Sequence, residues 1–383
     1  MGPTSLSLVR ALGRKNIPVY GIGLTKFEAA LSSKYCKSIG AADPNHAPDK
    51  MLALLLEFAG SNSFDKKPVL YPTGDECVVF IAKNYEVLSK FYKFSTLNEQ
   101  ISELFLDKGI FYKACLQHGL PTALSLLPST VEELSYLSKD INYPCIMKPR
   151  HYHEWALTHG LVKGIVCNNE AQLLHNSRQY RDTLDQFIIQ EIITGPETDI
   201  YVFAAYFDRT SHPHGIFIGN KIRQYPVGFG TTTMMKTAED AEIIEMSVQF
   251  LESVNYQGLC DVEYKLDRKT NTFKIIEINP RMGRWYGIVE ASGLDTIYYS
   301  FLDLTDQPIP NQNIEIKPVT WAFVSRDIPA IINNKSWSLS SATRSYSGRK
   351  TWCIWAMDDV KPFFAYFSEM AMKVLRQLTR KYS

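Results

Sequence analysis

The chain has 383 residues, 45% of them hydrophobic and 21% charged, with a formal net charge of +1. That length exceeds one ordinary core and calls for two or three packed units with a cleft available between them. The near-zero charge supplies no global field for nucleic acid or anionic lipid, so partners are to be sought at local sites.

The seven cysteines, Cys36, Cys77, Cys115, Cys145, Cys167, Cys260 and Cys353, are never closer than 22 residues apart. Neither a zinc knuckle nor a redox pair is written locally, and the scattered odd set reads as buried thiols in a reducing cytosol. Glu57 interrupts the longest apolar run well short of the ~20 residues that span a bilayer, and no charged-then-apolar leader opens the chain. The expectation is a cytoplasmic protein with no membrane span and no nucleic-acid partner.

In chain order, Gly2-Pro3-Thr4-Ser5 reads as a turn feeding a helix through Leu6, Leu8, Val9 and Leu12 that stops at Gly13. An apolar strand at 17–22 follows. Such a turn normally follows a strand in a dinucleotide-type sheet, so either a first strand is missing or the sheet has lost it. A helix at 51–58, a strand at 69–71 and a helix at 77–88 continue the alternation of an open parallel sheet, which predicts a Rossmann-like α/β unit over 1–105. From Asp107 the texture changes to a helix reaching His118, a turn at Gly119-Leu120-Pro121, a helix at 132–138 and strands near 143–148, 164–167 and 187–191. That is an α+β unit over 106–195. A second, over 196–305, has strands at 200–207 and 215–218, a helix at about 239–254 and a hairpin over 258–279 turning at 268–272. Residues 306–383 form a C-terminal extension with strands near 319–324 and an amphipathic helix at about 368–382, whose Lys373, Arg376 and Arg380 share a face for solvent, acidic lipid or a partner.

The chemistry concentrates in Cys260-Asp261-Val262-Glu263-Tyr264-Lys265 and Lys274-Ile275-Ile276-Glu277-Ile278-Asn279-Pro280-Arg281. Alternation puts Ile276 and Ile278 on one face and Glu277 and Asn279 on the other, while Asp261 and Glu263 share a face. A short hairpin then sets Glu263 beside Glu277. Carboxylates so placed repel one another unless a cation lies between them, and an oxygen-only set suits Mg2+. Arg281 can meet a phosphate as a fixed fork. A solvated sheet face explains any one of these carboxylates but not the whole set.

These motifs resemble the ATP-grasp superfamily, over roughly residues 1–305. The resemblance implies two subdomains sandwiching ATP, with Glu263, Glu277 and Asn279 holding two magnesium ions on its phosphates and Arg281 on the transferred phosphate; Mn2+ in place of Mg2+ and a homodimeric assembly are compatible with it. Lys108, and Lys148 in Pro144-Cys145-Ile146-Met147-Lys148-Pro149, match the two phosphate-side lysines. In Gln190-Glu191-Ile192-Ile193-Thr194-Gly195-Pro196-Glu197, the match assigns the adenine edge to Gln190 and the backbone of Glu191, Ile192 and Ile193, and the ribose hydroxyls to Glu197. Lys221-Ile222-Arg223-Gln224-Tyr225-Pro226 resembles the carboxylate–amine ligase branch that includes D-aspartate ligases; alternation puts Lys221 and Arg223 on one face, for a phosphate, a carboxylate or simply solvent. Thr73-Gly74-Asp75-Glu76 is similar to the same branch, and Asp75 either orients an amine or caps the next helix.

One motif departs from the family. Where a Gly- and Ser-rich loop is usual, this chain has Arg150-His151-Tyr152-His153-Glu154-Trp155, with glycines only at 160 and 164. His151 and His153 with His159 could hold zinc, but no fourth ligand stands at usable spacing, and a lid with aromatic and imidazole contacts is the preferred reading. The implied activity is an ATP- and Mg-dependent ligase joining a small carboxylate to an amine or thiol through an acyl phosphate, with Lys148 and Arg281 at the transferred group. The alternatives are phosphorylation of another acceptor and a non-catalytic ATP-binding module.

Overall fold

The computed structural model describes residues 3–25, 28–95, 98–159, 164–310, 314–334 and 337–381. The first part comprises α1 (Ser5–Gly13), β1 (Val19–Gly23), β2 (Cys36–Ala41), α2 (Pro48–Ser61), α3 (Asp75–Lys83), α4 (Tyr85–Leu88) and α5 (Glu99–Leu106). β1 and β2 pair in parallel as a sheet of two strands. The strand expected at 69–71 makes only a single parallel bridge, Val69 to Lys93. Between that segment and β1 lies a cavity of about 430 Å3 lined by Leu8, Leu12, Val19, Phe58, Leu70 and Phe80. Among the described residues the expected open sheet is therefore reduced to one parallel pair. The helix expected at 77–88 breaks at Asn84, whose φ of −113° is not helical and whose amide donates to Phe80 O.

The second part runs α6 (Lys108–Gln117), β3 (Ser125–Leu126), α7 (Val131–Leu137), β4 (Cys145–Pro149), α8 (Tyr152–His159), β5 (Ile165–Cys167), α9 (Glu170–Ser177) and β6 (Phe187–Glu191). Its sheet is antiparallel in the order β3-β6-β4-β5. Side-chain caps fix the helix starts: Asp107 accepts from the N–H groups of Gly109 and Ile110, Thr130 from Glu133 and Asn169 from Gln172. Leu134, Met147, Trp155, Leu173, Phe187 and Ile189 fill the space between sheet and helices.

The third part contains β7 (Ile200–Phe207), β8 (Pro213–Tyr225), β9 (Thr231–Ala238), α10 (Ala241–Ser253), β10 (Gly258–Asp267), β11 (Thr272–Asn279), α11 (Gly287–Ser292) and α12 (Thr296–Leu304). It continues through β12 (Thr320–Ala322), α13 (Val324–Asn333), α14 (Leu339–Ser345), β13 (Lys350–Trp352) and α15 (Lys361–Lys381). The seven strands lie in the order β11-β10-β7-β8-β9-β12-β13. β7 reads as an unbroken apolar run because both faces are covered. Val202, Ala204 and Tyr206 join the core shared with α1, α11 and α12, while Phe203, Ala205 and Phe207 join the one shared with α5 and α10.

Four differences from the sequence reading appear here. β8 has thirteen residues, reaching past the expected 215–218 because its charged positions are paired in the interior, and β9 was not anticipated at all. Residues beyond 306 join the main sheet, since β12 pairs antiparallel with β9 and β13 parallel with β12. α15 starts at Lys361 rather than near 368; the expected basic face of Lys373, Arg376 and Arg380 involves side chains outside the described set. No described helix is long and apolar enough to cross a membrane.

Candidate active site

The β10–β11 hairpin pairs Glu263 directly with Glu277 and Asp261 with Asn279, the juxtaposition read from the sequence. The interior side of β11 differs from that reading. Its register shifts beside Ile276, so Phe273, Ile275 and Ile278 enter the core and Ile276 is only half-buried. One extra residue reverses strand alternation, and Glu277 and Asn279 stay together only because they lie on the same side of that bulge.

The carboxylates are held at high electrostatic cost. Burial raises the pKa of Glu263, with Glu277 adding to the rise and Lys221 opposing it. Asp261 is raised further by burial and by Glu263, and its Oδ1 is buried with no hydrogen-bond partner among the described residues. A buried, orphaned oxygen beside repelling carboxylates is an arrangement that a hard divalent cation relieves, and its donors are all oxygen. The residues therefore fit magnesium.

Cationic groups converge on this face from three directions. Lys221 is buried and donates to Glu263 Oε2 at 3.1 Å and to Gln224 Oε1 at 3.3 Å. Arg281 donates to Asp75 Oδ1 at 2.6 Å and to Asn279 Oδ1 at 3.2 Å. Burial alone would lower the Arg281 pKa, but Asp75 outweighs it and holds the guanidinium firmly charged. Lys148 is brought down to about 8 by burial and by repulsion from Lys108, against the attraction of Glu277. Lys108 N–H donates to Arg150 O at 3.2 Å and Ile275 N–H to Pro121 O at 2.8 Å, so the end of β4, the two ends of α6 and the hairpin border one space. Asp75 begins α3, so the Thr73-Gly74-Asp75-Glu76 motif serves here as a clamp on Arg281.

Arg223 does not join them. The β8–β9 register shifts on either side of it, so Gln224 lies beside Lys221 and the shared face expected for Lys221 and Arg223 does not form. Arg223 is instead fully buried against Asp327, at 2.8 and 2.6 Å, and reaches Ser345 Oγ at 2.9 Å. Asp327 also accepts from Thr233 and Tyr346. This network from the C-terminal residues removes Arg223 from the nucleotide-contacting set expected from the sequence.

In the segment expected at adenosine, Gln190 Oε1 accepts from Lys148 Nζ at 2.8 Å and its amide donates to Ser125 Oγ. The N–H groups of Glu191 and Ile192 are engaged by Leu124 O and Pro144 O, and the Glu191 carboxylate by Asn142. Glu197 is half-buried, accepts long bonds from the N–H groups of Gln224 and Gly228, and is raised by burial.

The segment expected as a lid is the helix α8. Trp155 is buried, stacks on His159 at 3.9 Å and meets Phe187 edge-on at 4.6 Å. Arg150 and His151 both bind the α6 cap Asp107, at 2.7 and 2.9 Å. Burial would raise the pKa of Asp107, but His151 and Arg150 hold it far below the ordinary carboxylate range. His151 thus binds Asp107 and Glu103, and His159 stacks on Trp155 and bonds Thr158, while the His153 side chain of the zinc alternative lies outside the described set. These polar anchors of α8 were not identified from the sequence; the helix-start position of Asp107 before Lys108 was the available signal.

The family described as carbamoyl-phosphate synthase L chain, ATP binding domain, matches residues 224–301. A D-aspartate ligase of Enterococcus faecium (strain Aus0004) is 24% identical over 258 residues, which cover 64% of this chain and 60% of that protein. The chain thus matches less than two thirds of that relative's length. A biotin carboxylase from Campylobacter jejuni, solved as a β,γ-ATP complex, superposes with a TM-score of 0.62 at 16% identity, covering 82% of this chain and 72% of that one. An L-amino acid ligase from Bacillus licheniformis gives a TM-score of 0.61 at 17% identity, covering 83% and 76%.

Proposed function

Taking the chain as what these comparisons show it to be, a protein of the ATP-grasp fold, we propose that it is an ATP- and magnesium-dependent ligase that activates a small carboxylic acid for attack by an amine. The observation that carries this is the register pair Glu263–Glu277, with Asn279 beside it, facing Lys148, Lys221 and Arg281. Glu263, Glu277 and Asn279 would hold the magnesium, which supplies charge neutralisation on the phosphates when bound.

Lys148 and Lys108 then face the phosphate chain from the β4 side, and Arg281, kept charged and aimed by Asp75, meets the group in transfer. Attack of the substrate carboxylate oxygen on the γ-phosphorus releases ADP and leaves an acyl phosphate. The amine attacks the acyl carbon, loses its proton and expels phosphate. An acyl phosphate hydrolyses in water, which gives α8 its role as a cover anchored through Asp107 and Trp155. Gln190, Ile193 and Glu197 line the adenosine end, and the likeness to a D-aspartate ligase supports an amino acid as one substrate.

The test is an ADP-release screen over carboxylates and amino acids, repeated with hydroxylamine in place of the amine. Hydroxamate formation with the active acid is the expected result. ADP release with an alcohol acceptor and no hydroxamate would replace this reading with phosphorylation, and failure of any acid to stimulate ATP turnover would leave only a binding module.

A further inference from the structure

β4 and β5 place Cys145 directly opposite Cys167 in antiparallel register, although the two lie 22 residues apart in the chain. Residues so opposed have Cα atoms about 4.5–5.5 Å apart, within the span that a disulfide bridges. Both side chains are fully buried in the core of this subdomain, beside Met147 and Trp155. Asn176 Nδ2 donates to Cys167 Sγ at 3.5 Å, and the Cys167 thiol donates to Ile165 O at 3.8 Å. We propose that Cys145 and Cys167 form an oxidisable dithiol, a site of reversible disulfide formation that ties β4 to β5 across the base of the α8 lid.

The two thiols have unequal roles. Asn176 donates to Cys167, a hydrogen bond that favours the Cys167 thiolate. Cys115 and Cys353, by contrast, are pushed up to about 12 by burial. Cys167 lies on the edge strand β5 and is the thiol an oxidant reaches first, with Cys145 on the inner strand β4 as the resolving thiol. Access comes through β5, which has three residues, lies at the edge of its sheet and exposes Val166 to 41%; short edge strands open locally without global unfolding. With a small-molecule disulfide as oxidant, the Cys167 thiolate attacks one sulfur and expels a thiolate. Cys145, giving up its proton, then attacks the Cys167 sulfur of the mixed disulfide and expels the second. Two protein thiols are oxidised and one disulfide is reduced to two thiols, with the protons passing to the leaving groups. Lys148 follows Cys145 on the same strand, so the link would restrain the element that carries it.

The inference does not depend on the proposed ligase reaction. The full chain, first reduced, is exposed to oxidised glutathione, alkylated, digested without reductant and analysed by mass spectrometry. The expected product is a peptide pair joined through Cys145 and Cys167, lighter by two hydrogens and separated again by dithiothreitol. Cys145→Ser should lose the link and retain glutathione on Cys167, and Cys167→Ser should lose both. Absence of the Cys145–Cys167 link from wild-type protein that circular dichroism shows to be folded would overturn the proposal, as would glutathione accumulating on other cysteines while Cys167 stays free in Cys145→Ser.

Discussion

Asp75 Oδ1 accepts a hydrogen bond from Arg281 Nε at 2.6 Å, joining the first residue of α3 to the residues just after β11 across 206 positions of chain. Both side chains are less than one-fifth exposed, so the pair fixes where the guanidinium points. Asp75→Ala should lower kcat for ADP release by about 10- to 100-fold, the range expected when a catalytic group is misplaced by an ångström, while the affinity for ATP changes little. An unchanged kcat would show that Arg281 is aimed without it.

Glu277 stands opposite Glu263 in a pairing that costs stability. Glu277→Ala should reduce turnover by about 10³-fold or more through loss of transition-state charge stabilisation. The thermal midpoint should hold or rise, because a repulsive pair is removed. Wild-type turnover in this variant would sink the magnesium assignment.

Burial and repulsion from Lys108 bring the Lys148 pKa down to about 8. As pH rises through that value the phosphate-facing charge is lost, so kcat/KM for ATP should fall on the alkaline side. Lys148→Arg keeps the charge at all these pH values and should flatten that limb even if the maximal rate drops. Persistence of the same limb in the variant would assign it to another group.

Arg223 and Asp327 are both fully buried. Removing one partner of such a pair leaves an uncompensated charge, so Asp327→Ala should cost about 3–5 kcal/mol in urea unfolding. Lys221→Ala should act chiefly on ATP binding, measured by calorimetry, because Lys221 faces Glu263. Equal effects of both substitutions on binding and on stability would contradict the division of the two side chains between site and core.

What the sequence determined by itself was whatever depends on spacing along one or two adjacent strands. Two apolar strands joined by the turn at 268–272 bring Glu263 to Glu277 once the hairpin closes, and the order of lysine, adenosine and metal motifs is a linear property. Where a single residue breaks the alternation, pattern reading loses its phase. The bulges at Ile276 and around Arg223 are such places, and they move Ile276 out of the core and Arg223 out of the site. Only the tertiary structure decided the long-range pairings: Asp75 with Arg281, Arg223 with Asp327, Arg150 and His151 with Asp107, and Cys145 with Cys167. Each joins elements whose approach is set by how sheets and helices pack, and a charge or thiol in one segment carries no local mark of the partner that packing will bring to it.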